Sequence, residues 1–344
     1  MHVSLLVPAP FDAVSGGYEY DRRMVAGLRA AGHVVRVYEL AGTHPLPDDA
    51  ATDAALVAFD AQPRDSLIVI DGLALPAFTD LLAESGARPC VGLIHHPTSL
   101  EAGLSDAIRD SLAAIERVLF PRLVRIITTS TTTADTLVAQ FGVDRGVIAV
   151  VEPGTDPAPR SLGSGGPACR ILSVGTLVPR KGHDVLLRAL AMLPDLDWHL
   201  TIAGSAERAP EHAAELASLA SELGIAERVV FAGEVTGEAL DVLWREADIF
   251  ALATWFEGYG MAVAEALRRG LPVAVCAGGA AARLVTSESG VIVQPGDHVQ
   301  LGKALRRMVF DSALRATMAE AAFAVGATLS GWDAQIIAFE DALT

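Results

Sequence analysis

Cysteine is scarce: three residues in a chain of 344, a small and odd count that cannot build a disulfide framework. Cys90, Cys169 and Cys276 each open or close an apolar, strand-like run and read as core thiols of a reducing, cytoplasmic compartment. Basic residues are outnumbered as well, 26 Lys plus Arg against 42 Asp plus Glu, and the net charge of −16 opposes attraction to nucleic acid. Long apolar runs are missing. The longest, 271–282, is broken by Pro272, Gly278 and Gly279 and falls short of the roughly 18 residues a membrane span needs. The N-terminus has no basic n-region and Pro8 interrupts its apolar stretch, so no signal peptide is expected.

What is present is globular. Hydrophobic residues reach 51% while charged ones stay at 20%, far from disordered compositions. At roughly 150 residues per domain the length implies about two domains. Short Val, Ile and Leu runs at 2–7, 34–40, 66–71, 90–95, 125–130 and 147–151 alternate with helical stretches such as 18–31. The alternation restarts at 169–174, 198–203, 229–232, 249–253, 272–276 and 290–293. This is the signature of α/β domains built on parallel sheets covered on both faces. Between the two series lies a Pro, Gly and Ser-rich stretch. The expected organisation is therefore a doubly wound domain at 1–153, a linker at 154–168, a second doubly wound domain at 169–328 and a last helix within 329–344.

In such sheets ligands bind beyond the carboxyl ends of the strands. Four loops there carry candidate chemistry. Ser15-Gly16-Gly17 precedes a helix expected from Tyr18, where two glycines would bring unpaired N–H groups to an anion; an ordinary tight turn explains it equally well. It is not the G-x-G-x-x-G fingerprint, although Glu39 follows at a spacing suggestive of a ribose contact. After the run at 90–95 stand His95 and His96, which point to opposite faces and so cannot share a metal; one imidazole there could orient a substrate hydroxyl. The loop 175–182 ends in Arg180-Lys181-Gly182 at a helix start, a ready anion site, but lacks the glycine spacing and following Ser or Thr of a P-loop. Trp255-Phe256-Glu257-Gly258-Tyr259-Gly260-Met261 runs into a helix bearing Glu265, and its glycines let backbone wrap closely around a ligand. Glu257 and Glu265 could accept hydrogen bonds from sugar or ribose hydroxyls.

With Glu257 and Glu265 separated by seven residues, the chain resembles the retaining GT-B glycosyltransferases of family 4, the group 1 type. Gly16-Gly17-Tyr18-Glu19, His95, the run 128–133, Val174-Gly175-Thr176 through Lys181-Gly182, Ala203-Gly204 and Arg268, Gly270, Pro272, Val273 fall in the family's order. The resemblance implies two Rossmann-like domains facing across a cleft, with the C-terminal helix crossing back to the N-terminal domain. It implies transfer of a sugar from a nucleotide-diphosphate sugar, with retention and without a metal or other cofactor, to an acceptor the sequence does not name. It assigns Glu265 to the ribose, and Lys181, with Arg180, Thr176, Gly16 and Gly17, to the diphosphate. Glu257 and the backbone of Gly258, Tyr259, Gly260 and Met261 would hold the sugar, and His95 a sugar hydroxyl near the reacting centre. Thr176 stands where many members carry Arg, and Glu152-Pro153-Gly154-Thr155-Asp156 replaces a Pro-Asn-Gly turn.

Two other functions fit parts of the pattern. An NAD(P)-dependent oxidoreductase on tandem Rossmann domains requires a G-x-G-x-x-G turn, which neither Ser15–Gly17 nor the loop 175–182 supplies. A non-catalytic nucleotide-sugar-binding scaffold keeps the fold, but His95, Lys181, Glu257 and Glu265 are all present. Arg109, Arg117, Arg122 and Arg125 with Leu119 and Phe120 read either as a solvated helix or as a patch for peripheral membrane contact.

Overall fold

The computed structural model describes residues 1–83 and 88–344. Its strands coincide with the apolar runs, because strands buried on both faces need β-branched residues without polar alternation. In the first unit, Met1–Gly154 with Trp332–Thr344, these are β1 (His2–Pro8), β2 (Val34–Leu40), β3 (Ser66–Asp71), β4 (Cys90–Ile94), β5 (Arg125–Thr128) and β6 (Ile148–Val150). All pair in parallel in the order β2-β1-β3-β4-β5-β6, with His2 of β1 opposite both Val34 and Ser66. Between them run α1 (Gly16–Ala30), α2 (Asp49–Asp60), α3 (Thr79–Ala83), α4 (Asp106–Leu119) and α5 (Thr131–Phe141). One core layer joins Leu6, Ile68, Ile70, Phe78, Phe120 and Ile126. Leu119 and Phe120 belong to that layer, buried to 0% and 1% exposure. The patch for membrane contact therefore has no apolar face of those two residues, and Arg117 instead lies over the Phe141 ring.

The second unit, Thr155–Gly331, repeats the plan. It contains β7 (Cys169–Val174), β8 (Trp198–Ala203), β9 (Val229–Gly233), β10 (Ile249–Leu252), β11 (Val273–Cys276) and β12 (Gly290–Val293), parallel in the order β12-β11-β10-β7-β8-β9. The covering helices are α6 (His183–Ala191), α7 (Pro210–Glu222), α8 (Gly237–Glu246), α9 (Met261–Arg268), α10 (His298–Phe310) and α11 (Ser312–Thr328). The two faces of the sheet bury separate layers, one around Trp198, Leu186 and Leu305, the other around Trp244, Phe250 and Leu267. Residues 155–168 form no helix or strand, yet Ser161 N donates to Arg269 O and Leu162 N to Arg245 O. Arg160 pairs with Glu320 at 2.8 Å and lies over the Phe323 ring.

The last helix, α12 (Trp332–Leu343), rejoins the first unit by packing on α1. Tyr20 meets the rings of Trp332 and Phe339 at 6.2 Å each, and Arg23 lies over Trp332. Gly27 makes room for Ile336, since a Cβ there would stand 2.5 Å from that side chain. Among the described residues no helix is long and apolar enough to cross a membrane.

Candidate active site

Each sheet reverses strand order at one place, and the loops leaving the strands there open a crevice. In the second unit the reversal lies between β7 and β10, and it is the loops after these two strands that carry the expected residues. Arg180 and Lys181 sit in a single 3₁₀ turn, Pro179–Lys181, just before α6. Lys181 Nζ donates to Glu257 Oε1 at 2.7 Å, and Arg180 Nη1 reaches Phe256 O at 2.6 Å and Glu257 Oε1 at 3.3 Å. Thr254 Oγ1 lies 3.2 Å from the same carboxylate oxygen. Burial works against the Glu257 charge, but Lys181 and then Arg180 outweigh it and hold the carboxyl below its ordinary value.

Backbone geometry holds this cluster together. Trp255 N donates to Arg180 O at 2.8 Å, locking the two loops to each other. Gly182 has φ 63°, and a Cβ there would lie 2.1 Å from Ala253 O, so no other residue closes this turn without displacement. Gly260, at φ 105°, caps α9 and leaves no space for a side chain against Ala281. Glu257 N donates to Gly278 O and Ala280 N to Glu257 O, which ties in the loop after β11. Gly258 and the buried Tyr259 complete the turn into α9, Met261 begins that helix, and Glu265 stands half-buried one turn on. Thr176 follows Gly175 directly after β7, and the stem of Lys181 lies against Gly175, where its Cε would be 3.0 Å from a Cβ. At the start of α6, His183 is fully enclosed; burial, then the Lys181 charge, push it down to about 4.

In the first unit the reversal lies between β1 and β3. Here the expected loop ending at Gly17 is corrected: α1 begins at Gly16, with the Ser15 side chain accepting from Tyr18 N as N-cap. Gly16 and Gly17 are thus the first turn of a helix, whose leading N–H groups have no partner within it. Glu39 is also corrected, for its carboxylate accepts from Phe11 N and fastens the loop after β1. His95 follows β4, and Thr129 and Thr133 donate to its carbonyl. Its Nε2 lies 3.0 Å from Asp21 Oδ1 and 3.8 Å from Asp71 Oδ2. Burial, then the Asp21 charge, push Asp71 up to about 7. For His95 burial opposes the charge, but the Asp21 charge and hydrogen bond, then Asp71, raise it above its ordinary value. His96 has a separate partner, Glu101, at 3.0 Å. The loop between them and α4 is anchored by buried Glu116, which accepts from both the N–H and hydroxyl groups of Thr98 and Ser99.

Asp21, Asp71, Thr254, Glu116 and the Gly278-Gly279 pair were not among the expected residues. The visible signals were an Asp on the apolar stripe of α1, an Asp closing a buried strand, and a Gly pair leaving another. An Asp-x-Asp triplet, Asp195-Leu196-Asp197, precedes β8 and therefore lies at the opposite end of the sheet, with Asp195 bound to Arg306.

Residues 157–325 match the family of glycosyl transferases group 1. The D-inositol 3-phosphate glycosyltransferase of Streptomyces avermitilis is 34% identical over 242 residues, 64% of this chain and 51% of that protein. That of Mycolicibacterium gilvum is 36% identical over 234 residues, 62% of this chain and 51% of that protein. The chain spans about half the length of these relatives. Among solved structures, sucrose-phosphate synthase from Thermosynechococcus elongatus superposes with a TM-score of 0.83 at 20% identity, covering 99% of this chain and 98% of that one. HepE of Anabaena in complex with UDP and glucose gives 0.77 at 19% identity, with 99% of each chain covered. At these identities the likeness establishes the fold, two Rossmann-like units of the GT-B type.

Proposed function

We propose, from the premise that the chain belongs to the group 1 glycosyl transferases, that it moves a sugar from a nucleoside-diphosphate sugar to a hydroxyl acceptor with retention of configuration. The observation that carries this reading is the convergence of Lys181 and Arg180 on Glu257 beside the N-terminus of α9. Two enclosed cations at the carboxyl end of a Rossmann-like sheet suit a diphosphate, and a carboxylate between them suits sugar hydroxyls. The names of its relatives, glycosyltransferases, and the UDP and glucose bound by HepE support a UDP-sugar donor.

Each residue then has a task the chemistry can state. Lys181, Arg180 and the N–H group of Thr176 stabilise negative charge as the diphosphate departs, with Gly16 and Gly17 contributing N–H groups. Glu257 and the turn from Gly258 to Met261 hold the sugar hydroxyls, Glu265 binds the ribose, and His95 serves a sugar oxygen. The sugar turns oxocarbenium-like as the bond to the diphosphate lengthens, and the departing phosphate takes the acceptor proton on the same face. No metal is needed for charge that two cations already meet.

Calorimetry with UDP, GDP and their bare nucleosides tests the donor site. Lys181→Ala should cost diphosphate affinity far more than nucleoside affinity, and Glu265→Ala should weaken both by about 1–3 kcal/mol through unpaired ribose hydroxyls. Absence of binding by any nucleoside diphosphate would refute the donor reading. Proton NMR of the first product decides the stereochemistry, and a product of inverted anomeric configuration would refute retention. Binding without any donor hydrolysis or transfer would favour the scaffold.

A further inference from the structure

The buried trio Asp21, Asp71 and His95 does more than place a ring. The side chains of Asp21 and Asp71 are 0% and 2% exposed, and no Lys or Arg among the described residues pairs with either. Two enclosed carboxylates so close together repel strongly unless a positive charge or a proton stands between them. The group standing there is the His95 ring, with Nε2 facing both. The other titratable group packed on the ring is Tyr20, edge-on at 5.4 Å; burial, then the Asp21 charge, push its phenol well above its ordinary value, so it stays neutral. The hydroxyls of Thr129, just after β5, and Thr133 of α5 bond the His95 carbonyl and not the ring.

With Nε2 committed to Asp21, the protonation state of His95 is expressed at Nδ1. In the neutral ring Nδ1 is a bare lone pair that repels an anion; in the imidazolium it is an N–H donor carrying charge. Nδ1 has no hydrogen-bond partner among the described residues, and the side chain remains 20% exposed. Gly17, in the first turn of α1, lies against the same ring, where a Cβ would stand 3.4 Å from Cδ2 and 3.5 Å from Nε2, the atoms on the Asp21 side of the ring.

We propose that Asp21 is a positioning residue that keeps His95 in its doubly protonated form, so that Nδ1–H is presented as a charged donor to an oxygen of the nucleotide sugar. The ligand part of this assignment rests on the donor reading above. Asp71 shares the buried proton and limits how much negative charge the pocket carries.

The test begins without ligand. Histidine labelled at Cε1 and assigned through His95→Gln allows the His95 resonance to be titrated by NMR in the full chain. His95 should titrate above the usual 6.5 in the parent and about one unit or more lower in Asp21→Asn, a tenfold change in imidazolium fraction on the alkaline side. A parent value at or below 6.5, or one unmoved by Asp21→Asn, overturns the proposal. If Asp21→Asn does not fold, the parent titration decides together with Asp71→Asn, in which His95 should still titrate above 6.5.

UDP-glucose supplies the second arm, since its diphosphate diester does not titrate in this range. Its affinity should fall as pH rises through the His95 pKa, and the break should move to lower pH in Asp21→Asn. A break that stays in place overturns the contact with the nucleotide sugar. Failure of any nucleotide sugar to bind would strike the donor reading, while the ligand-free titration still decides the state of His95. Broadening of the His95 resonance by sub-stoichiometric Mn²⁺ would identify a metal site instead and overturn the proposal.

Discussion

Glu257→Gln isolates the charge that two cations share. The substitution keeps volume and one acceptor oxygen, but it removes the carboxylate charge that Lys181 and Arg180, whose side chains are 14% and 16% exposed, share. Removing one partner of a buried ion pair costs about 3–5 kcal/mol, and the residual exposure of both cations together with the Arg180 bond to Phe256 O argues for about 2–3 kcal/mol here. For a unit of this size that is a fall in Tm of about 4–12 °C, read by calorimetry or circular dichroism. UDP tests the cause separately, because it has no sugar for Glu257 to touch. Its phosphates should supply the negative charge the cations have lost, so UDP should raise the Tm of the variant more than that of the parent. At a hundred times Kd the parent itself should gain about 2.7 kcal/mol. Turnover should drop in the variant even though UDP binds at least as tightly. An unchanged Tm, or a smaller UDP shift in the variant than in the parent, would refute the idea that Glu257 stands in for phosphate when the site is empty.

Further outcomes follow from the same contacts. Asp71 has its folded pKa raised to about 7, so the folded state holds a proton that the unfolded chain releases near 3.8, and this contribution to stability is lost as pH rises through 7. Asp71→Asn should therefore gain on the parent in thermal denaturation between about pH 4 and 7 and then run parallel to it; a constant offset would contradict the assignment. Gly182→Ala forces a side chain into a left-handed turn with its Cβ 2.1 Å from Ala253 O and should cost about 2 kcal/mol or more, with loss of UDP binding; a variant of parental stability would show that the turn can move. Trp332→Ala should cost about 3–5 kcal/mol, because the ring is 8% exposed and packs on Tyr20 and Arg23; a loss below 1 kcal/mol, measured in urea, would mean that α12 contributes little to the first unit.

The strands were legible because burial on both faces leaves an uninterrupted apolar run, and the observed limits of β2, β3, β7, β8 and β12 coincide with those runs. The cation loop and the paired glutamates were legible because each lies within one short stretch of chain. What escaped was whatever depends on contacts across long separations. His95 and Asp21 are 74 residues apart, and nothing local to either announces the other. Glu116 looks like a solvated residue of an amphipathic helix until the loop at Thr98 and Ser99 folds over it. The start of α1 was misplaced for a local reason: Gly16 and Gly17 are poor helix formers, and the Ser15 cap overrides their preference.

The return of α12 to α1 makes the first unit discontinuous in the chain, with the whole of Thr155–Gly331 inserted between two of its parts. During synthesis, then, the sheet from β1 to β6 emerges early but waits without its closing helix, with Tyr20 and the notch at Gly27 still open. The second unit, contiguous in sequence, can fold while the first is still incomplete. Chaperone demand should accordingly fall on the segment translated first, and a ribosome-stalled chain ending before Trp332 should show protease cleavage within α1 that disappears once Leu343 has cleared the exit tunnel.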